Sequence, residues 1–365
     1  MSNFNLTNLA VNMYCPGNAA QLDDAGLPSI MVWIPAFRLC DVLNTTNESI
    51  HPAFIVNGVQ IPGFWYSKYE NVVHDGKAYS LPGEDPHHTL TFDEALDYSE
   101  AKGHGWHLST AAEWAAIALW AKKNGTLPHG NNKQGMDSQE TSLKAIPTSH
   151  NSEGAVTRVA TGTGPLTWSH DGSMSGIWDM NGNVWEWQAG IRLVWGELQV
   201  LANNDAVDPD NPQNNASACW KAISAADGTL VEPECAVTDS AVKTSGGTVK
   251  LDYVDGVWTY ATGITNAENK TRSCVFAKAT CGAAITDAAK LTLRAMALLP
   301  EDGAAEEDYT DDYMLWNNSA SEVSVCRGGT HSDKGSAGLF YVNGYNLRSA
   351  KRDIIGFRAS YVPNI

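Results

Sequence analysis

The stretch GIWDMNGNVWEW (Gly176 to Trp187), where three tryptophans alternate with short polar and acidic side chains, constrains the fold most. Each tryptophan can bury a large apolar area, so the stretch has to enter a core. Asn181-Gly182 marks a tight turn, so part of this backbone lacks a regular hydrogen-bond ladder. Buried backbone groups need partners, and we expect the polar side chains to provide them. The predicted structural frame here consists of Trp178, Asp179, Asn181, Asn183, Trp185, Glu186 and Trp187.

The composition provides a large core and limits the partners. Of the 365 residues, 43% are hydrophobic and 13 are tryptophans. The net charge of −17 argues against nucleic acid or an anionic membrane as the main partner, because phosphate neutralisation needs clustered lysine and arginine. Residues 196–315 carry 8 basic and 19 acidic side chains, whereas residues 321–365 carry 6 basic and 3 acidic ones. The carboxy-terminal stretch is therefore chemically distinct from the block before it.

Regular structure is predicted from capping signals and β-rich runs. Capping-box patterns at Thr91 to Glu94 and at Thr110 to Glu113 predict two helices, which end near Gly103 and at Gly125. Aromatic and β-branched runs favour strands. The predicted strands lie within residues 31–37, 63–73 and 248–262, a third helix lies within 283–299, and 122–168 is expected to be long irregular loop.

Cysteine usage and the amino terminus bear on the compartment. The seven cysteines form no CxxC pair, and an odd number cannot be fully paired, so reduced thiols are favoured. Local bridges between Cys274 and Cys281, or Cys219 and Cys235, remain open for a protein outside the cell. The start MSNFNLTNLAVNMY lacks the features of a signal peptide, and the longest apolar stretch (114–121) is too short to cross a bilayer. We expect a soluble protein without membrane insertion.

Seven separated motifs occur in one order: MVWIPAF at 31, FWYSKYE at 64, GWHLSTAAEW at 105, GIWDMNGNVWEW at 176, CRGGT at 326, LRSA at 347 and IGFRAS at 355. Together they resemble the formylglycine-generating-enzyme branch of the C-type lectin fold. The resemblance implies an α+β fold with twisted antiparallel strands, two helices and extensive ordered loops. The predicted parts are an amino-terminal segment (1–28), the first part of a C-type lectin-like domain (29–196), an acidic insertion or subdomain (197–315) and the last part of the domain (316–365).

The resemblance argues against catalysis. The enzymatic relatives carry two copper-binding cysteines after their RGGS motif, whereas residues 330–353 contain none. Cys326 stands before the motif and is expected to be a small core residue. The related sulfoxide synthases use an iron-binding histidine motif in a separate amino-terminal domain, which 1–28 is too short to hold. We therefore expect no enzyme, no catalytic residue and no cofactor, with an oxidoreductase of this type with altered ligands as the alternative.

Other chemical patterns are weak. Ser169-His170-Asp171 are consecutive, and adjacent side chains diverge, so they do not form a triad. His107 occupies the family's arginine position, which favours a structural role, and His87-His88 reads as an exposed loop pair. The oxygen-rich run 208–215 offers ligands for a structural calcium ion, but it lacks the glycine and terminal glutamate of an EF-hand loop. A solvated loop is favoured there, and no metal site is predicted.

The run THSDKGSAGLFYVNGYNLRSAKRD (330–353) mixes unrelated chemistries and has neither a helical nor a strand period. Its fixed positions resemble the ending of variable proteins from diversity-generating retroelements, which use the same fold branch. That resemblance extends the frame to Arg327, Gly328, Gly329, Phe340, Arg348, Gly356, Phe357 and Arg358. It implies that adenine-directed mutagenesis changes the positions in between. The candidate ligand-binding residues are Thr330, His331, Ser332, Asp333, Ser336, Tyr341, Tyr345, Ala350, Lys351, Arg352 and Asp353.

The mixture of tyrosines with charged and small polar residues resembles an antibody paratope. The implied partner is a protein or glycan receptor, and the implied location is a virion or a cell surface. An ordinary solvated loop with Tyr341 and Tyr345 packed inward is the alternative. The oligomeric state stays open at this point.

Overall fold

The computed structural model describes residues 6–363, and over this range it contains five α-helices and 23 strands. The helices are α1 (Leu6–Tyr14), α2 (Leu39–Val42), α3 (Phe92–Glu100), α4 (Ala111–Asn124) and α5 (Asp287–Ala295). The strands are β1 (Asn18–Leu22), β2 (Pro28–Pro35), β3 (Ile55–Val56), β4 (Val59–Gln60), β5 (Gly63–Ser67), β6 (Val72–His74), β7 (Lys77–Tyr79), β8 (Trp106–Leu108), β9 (Pro147–His150), β10 (Val156–Val159), β11 (Trp185–Val194), β12 (Glu197–Val200), β13 (Lys221–Ile223), β14 (Leu230–Val231), β15 (Lys250–Val254), β16 (Val257–Ala261), β17 (Arg272–Val275), β18 (Thr280–Cys281), β19 (Tyr313–Trp316), β20 (Val323–Gly328), β21 (Gly338–Asn346), β22 (Ile355–Gly356) and β23 (Ala359–Tyr361).

Two sheets organise the chain. The smaller sheet has five strands in the order β1-β2-β5-β23-β8, so the last strand of the chain lies in its interior. The larger sheet has twelve strands, and its main path runs β17-β19-β21-β20-β11-β12-β15-β16-β18. Most of the pairings are antiparallel, as the predicted fold requires.

The two predicted capping boxes are confirmed as the starts of α3 and α4. In each, the threonine side chain accepts a backbone N–H three residues on, and the glutamate returns the bond. Helix α4 ends at Asn124, and its C-cap is Gly125, whose φ of 68° is left-handed, as a glycine C-cap allows. Among residues 6–363 no helix is both long and apolar enough to span a membrane.

The main core joins both sheets through α4. Trp114 and Ile117 of α4 belong to one cluster with Phe64 of the smaller sheet and Leu193 of the larger sheet. The Trp114 indole donates to the Leu339 carbonyl oxygen over 2.7 Å, which fixes α4 against β21. This contact positions β21, which lies within the candidate binding run 330–353.

The acidic block 197–315 extends the larger sheet at both ends. Its strands β12 to β16 and β18 continue from β11 on one side, while β17 pairs with β19 on the other. Leu251 and Leu293 from this block lie in the same core cluster as Trp114. The block and the flanking segments therefore share one core.

Two local expectations need correction, and the amino-terminal segment contains regular structure for which the sequence gives no prediction. Residues 330–353 contain strand β21, whose side chains are almost all buried, so the alternation that marks a one-sided strand is absent from its sequence. The predicted loop 122–168 contains the hairpin β9-β10. The amino-terminal segment forms α1 and strand β1, and β1 pairs with β2 along its whole length.

Candidate binding surface

The frame is centred on a buried ion pair between Arg358 and Glu186. Arg358 Nε lies 2.7 Å from Glu186 Oε2, and both side chains are almost fully buried. The same guanidinium donates to the Trp178, Lys68 and Ser67 carbonyl oxygens over 2.7, 3.2 and 3.3 Å. One arginine thus satisfies loop backbone from two distant segments, because its five donors lie in one plane.

Three buried carboxyl groups surround this guanidinium. Burial raises the pKa of Glu70 well above its usual range, with a further contribution from the charge of Asp179. Burial also raises the pKa of Glu186, and it raises that of Asp179 to about 6. Arg358 opposes each of these shifts. The frame therefore depends on this single cation.

The polar residues of the tryptophan motif hold loop backbone, as predicted from their sequence. Asn183 Oδ1 accepts the Val159 N–H and the Asn131 Nδ2, both over 3.0 Å. Asp179 accepts the Gly162 N–H over 2.7 Å, and Asn181 Nδ2 donates to the Pro128 carbonyl over 2.8 Å. Asp179 and Asn183 have φ of +62° and +59°, a left-handed conformation that short polar residues tolerate.

The three tryptophans of the motif lie in two clusters, because Trp185 and Trp187 share one and Trp178 belongs to another. Trp178 packs in a small cluster with Trp168 and Val159. The Trp187 indole is buried and donates to the Leu90 carbonyl over 3.2 Å. Trp185 lies under the candidate surface, where it stacks on Tyr341 at 6.4 Å and meets the Tyr345 ring edge-on at 6.0 Å.

Arg327, Gly328 and Gly329 form the first boundary of the variable run. Arg327 is fully buried and donates to the Met296 and Ala297 carbonyl oxygens, both over 3.1 Å, just beyond the carboxy end of α5. A cation is favourable there because the helix dipole is negative. Both glycines have φ near +90°, and a Cβ on Gly329 would lie 2.4 Å from the Ala337 Cβ.

Phe340 and Phe357 anchor the run in the core. Phe340 contacts Tyr309 and Phe276 with ring centroids at 4.8 and 5.1 Å, and its N–H donates to Asp312 over 2.7 Å. Burial raises the pKa of Asp312 to about 7. Phe357 is fully buried and packs near Tyr98.

Gly356 and Arg348 complete the boundary. A Cβ on Gly356 would lie 2.8 Å from the Val184 side chain, so only glycine fits without displacement. Arg348 Nε donates to Asp93 over 2.8 Å, and its guanidinium lies 4.6 Å from the Phe92 ring centroid. Arg348 therefore joins the end of the run to the start of α3.

The candidate ligand-binding residues divide by exposure. Ser332, Lys351, Arg352 and Asp353 are exposed. The half-buried members are His331, Asp333, Ser336, Tyr345 and Ala350. Thr330 and Tyr341 are 2% and 1% exposed, so the expectation that their side chains form surface is wrong. Tyr341 lies on the buried strand β21 against Trp185, and the Thr330 hydroxyl bonds to Asp333.

Contacts connect members of this set to Tyr345 and to α3. The Arg352 guanidinium lies 5.6 Å from the Tyr345 ring centroid. Burial lowers the pKa of His331, and the charge of the Asp353 carboxylate opposes that shift. Lys351 Nζ lies 2.6 Å from Glu94 Oε1 on α3. We refer to the nine exposed or half-buried candidates as the C-terminal surface.

A tight turn holds the first part of this surface. The Asp333 carboxylate accepts the Thr330 N–H over 2.8 Å and its hydroxyl over 3.0 Å. The His331 carbonyl accepts the Gln134 N–H over 2.8 Å, so the neighbouring loop supports the turn. Burial raises the pKa of Asp333.

Sequence reasoning missed several residues at this surface. Lys334 is exposed and lies inside the run, with φ of +57°. Arg158 pairs with Asp85 through two contacts of 3.1 Å, and its Nη1 reaches the Asp353 carbonyl at 3.5 Å. Lys334 could have been included from its place between fixed positions. Arg158 lies on strand β10 and Asp85 lies in a loop, and both are distant in the chain from residues 330–353, so no local signal identifies them.

The remaining chemical patterns take structural positions. His170 Nδ1 accepts the Ile177 N–H over 2.8 Å, while Ser169 donates to Asp171, so the three do not form a relay. His107 is buried and lies 2.9 Å from Glu113. All seven cysteines are free, and burial raises the pKa of Cys326 well above its usual range.

The run 208–215 bonds to a neighbouring loop. Asn57 Nδ2 donates to Asp208 over 2.7 Å, and Asn211 Nδ2 donates to the Asn57 side chain over 2.9 Å. Within residues 6–363 there is no group of three or more histidine, cysteine, aspartate or glutamate side chains that could hold a metal ion.

The mixed sheets, the two capped helices and the ordered loops centred on Arg358 define an α+β protein with a C-type lectin fold. The family model of the sulfatase-modifying factor enzyme 1-like domain matches residues 11–199, which is more than half of the chain. The chain belongs to this family, the formylglycine-generating-enzyme branch that its motifs resemble.

Comparison with individual proteins adds little. No curated protein matches the chain. Among solved structures, the Major Tropism Determinant U1 variant is similar at 10% identity and a TM-score of 0.29, over 94% of this chain and 71% of that chain. The P3c variant of the same protein gives 11% identity with the same TM-score and coverage. A TM-score of 0.29 is too low for these similarities to support a conclusion about this chain.

Proposed function

We propose that this protein is a non-catalytic receptor-binding protein, the variable protein of a diversity-generating retroelement, and that the C-terminal surface recognises its ligand. One observation carries the proposal: within 330–353 the side chains between the fixed positions are mostly exposed or half-buried, whereas the fixed Phe340 is fully buried. The bordering Arg327 and Arg358 are fully buried too. Stability and recognition therefore reside in different side chains.

This division permits diversification. Substitutions on a surface away from special backbone features change stability by less than about 0.5 kcal/mol. The frame keeps its ion pair and aromatic contacts whatever occupies Ser332, Arg352 or Asp353. Tyr345 offers a stiff ring supported by Trp185, the kind of side chain that contributes contact area at low entropic cost.

The mixed chemistry of the surface suits a protein or glycan receptor, met at a virion or cell exterior. The net charge of −17 disfavours nucleic acid. The rival oxidoreductase needs reactive thiols for copper, and the cysteine nearest the run, Cys326, is fully buried with a raised pKa. A thiol in that state is a poor metal ligand.

Sequencing the gene and its flanking DNA across a natural population tests this function. We expect substitutions concentrated in the codons of the C-terminal surface, constant frame codons, and a second, adenine-rich near-copy of codons 326–358 beside a reverse-transcriptase gene. Variation spread evenly over the chain, with no such near-copy, would refute the proposal.

A further inference from the structure

An aromatic pocket lies beside β2 and α4. It has a volume of about 190 Å³, and its lining includes Trp33 of β2, Phe37, and Trp120 of α4. All three side chains are half-buried, so part of each ring stays accessible. A cavity of ~150 Å³ is large enough for benzene, whereas sites for drug-sized ligands measure ~300 Å³ or more. The pocket therefore has room for a ligand with one aromatic ring.

The aromatic walls are held in place by neighbouring rings. Trp33 contacts Trp65 of β5 with ring centroids 5.1 Å apart, and Phe37 contacts Phe54 at 4.9 Å. A Cβ on Gly63 would lie 2.6 Å from the Trp33 ring, so glycine at this position lets the indole lie against β5. The walls are therefore preformed, as is usual for a small-molecule site.

One polar side chain of the lining, His170, provides a hydrogen-bond donor. The residue is 5% exposed, and its ring centroid lies 5.5 Å from that of Trp120. Its Nδ1 accepts the Ile177 N–H over 2.8 Å, so this nitrogen carries no proton. A histidine ring keeps at least one N–H, so the proton is on Nε2. Burial lowers the pKa of His170 to about 4, which keeps the ring in this neutral form at pH 7.

The Nε2–H of His170 bonds to no residue in the described range 6–363, and Nε2 is not sealed from solvent. Because His170 lines the pocket and is otherwise almost fully covered, this donor is available to a molecule in the pocket. Buried polar groups in proteins normally have a hydrogen-bond partner. The unpaired donor therefore indicates a ligand that carries an acceptor atom beside its ring.

Charges near the pocket offset each other. Asp171 brings a carboxylate to the lining, and its oxygens accept the Ser169 hydroxyl over 2.8 Å and the Ser173 N–H over 2.9 Å. Burial lowers the pKa of Lys68 to about 8, and the charge of Asp171 is one of those that oppose this shift. An ionised ligand would leave water without an unmatched opposite charge to receive it, which is unfavourable. The pocket therefore favours a neutral ligand.

We propose that this pocket binds a small neutral compound of the size of phenol, with one aromatic ring and a hydrogen-bond acceptor beside it. The ring packs among Trp33, Phe37 and Trp120, and the acceptor atom takes the His170 Nε2–H. Aromatic rings favour offset and edge-to-face contacts, which walls on several sides provide. The lining lies entirely within residues 16–175, so this site is separate from the C-terminal surface, and its failure would leave the proposed function untouched.

Ligand-detected NMR titrations of the full chain test the proposal with phenol and toluene, which have nearly the same shape but differ in the acceptor oxygen. The wild type should bind both. His170→Asn should weaken phenol binding roughly three- to tenfold relative to toluene binding, the usual net effect of one hydrogen bond. The asparagine Oδ1 replaces Nδ1 as acceptor of the Ile177 N–H, whereas the Nε2–H is lost. Trp120→Leu removes one wall and should weaken the binding of both compounds.

The matched control is His150→Asn, which makes the same substitution at an exposed histidine and should bind both compounds like the wild type. Benzoate and benzylammonium test the charge argument, and both should bind more weakly than phenol. The proposal is overturned if the wild type shows no saturable binding of phenol or toluene, or if either charged ring binds more tightly than phenol. It is equally overturned if His170→Asn leaves the ratio of the two affinities unchanged, or if Trp120→Leu binds both compounds like the wild type.

Discussion

Removing the central guanidinium gives the sharpest stability prediction. In Arg358→Met the Glu186 carboxylate loses a partner at 2.7 Å, and three backbone carbonyls lose a donor. Breaking a buried ion pair by removing one member costs about 3 to 5 kcal/mol. That is a large fraction of the ~5 to 15 kcal/mol by which domains are stable. We expect the loss to appear as a lower midpoint in urea denaturation.

The loss should also depend on pH in a defined direction. The pKa values of Glu70, Asp179 and Glu186 are raised in the folded state, and Arg358 opposes each shift. Without the arginine these pKa values rise further. Because raised carboxyl pKa values make the folded state bind more protons than the unfolded state, the stability of the variant falls as pH increases above about 4. The deficit relative to wild type should therefore be larger at pH 8 than at pH 5.

Two controls keep this test specific. Arg38→Met removes a surface arginine whose partners are the exposed Asp41 and Glu48, and its denaturation midpoint should match the wild type. Adding Glu186→Gln to Arg358→Met removes the orphaned charge and should recover part of the loss at pH 8. If Arg358→Met unfolds at the same urea concentration as Arg38→Met, the argument that one cation holds the frame is wrong.

Three further predictions follow from the same contacts. Trp185→Ala should lower the free energy of unfolding by roughly 3 to 5 kcal/mol, because the indole is 5% exposed and supports two tyrosines; an unchanged thermal midpoint would contradict this. Asp312→Asn should reduce the fall in stability between pH 5 and 8, because the carboxyl group of Asp312, with its pKa raised to about 7, contributes stability at low pH that is lost as the pH rises through that value. Urea denaturation at several pH values measures the slope of stability against pH, and a variant slope equal to that of the wild type would refute the prediction. The purified protein given copper(I) should not oxidise a cysteine peptide. Stoichiometric copper binding with turnover of the peptide would instead support the alternative that the protein is an oxidoreductase.

Local signals predicted the helices and the frame well. Capping boxes act within four residues, so Thr91 and Thr110 identify helix starts without tertiary information. Likewise, the polar residues among the tryptophans had to bond to loop backbone, and Asn183 and Asp179 do so. The ordered motifs also predicted the family that the match over 11–199 shows.

The wrong or missing predictions concern residues whose burial or position is determined by long-range packing. Strand β21 lies between β19 and β20 and is buried on both faces, so its sequence carries no alternation, and the prediction that Tyr341 is a surface residue is wrong. Arg158 reaches the surface from a hairpin distant in the chain, which no local pattern indicates.

The central claim is that the C-terminal surface tolerates diversity while the frame does not. Two displayed libraries test it without knowledge of the ligand, each scored by the fraction of members that resist proteolysis, which reports the population of open states. The first library randomises Ser332, Tyr345, Arg352 and Asp353. The second randomises Gly329, Phe340, Phe357 and Arg358. We predict that most members of the first library resist proteolysis like the wild type and that most members of the second are degraded. Equal loss in both libraries would show that the run is core, and the account would be wrong.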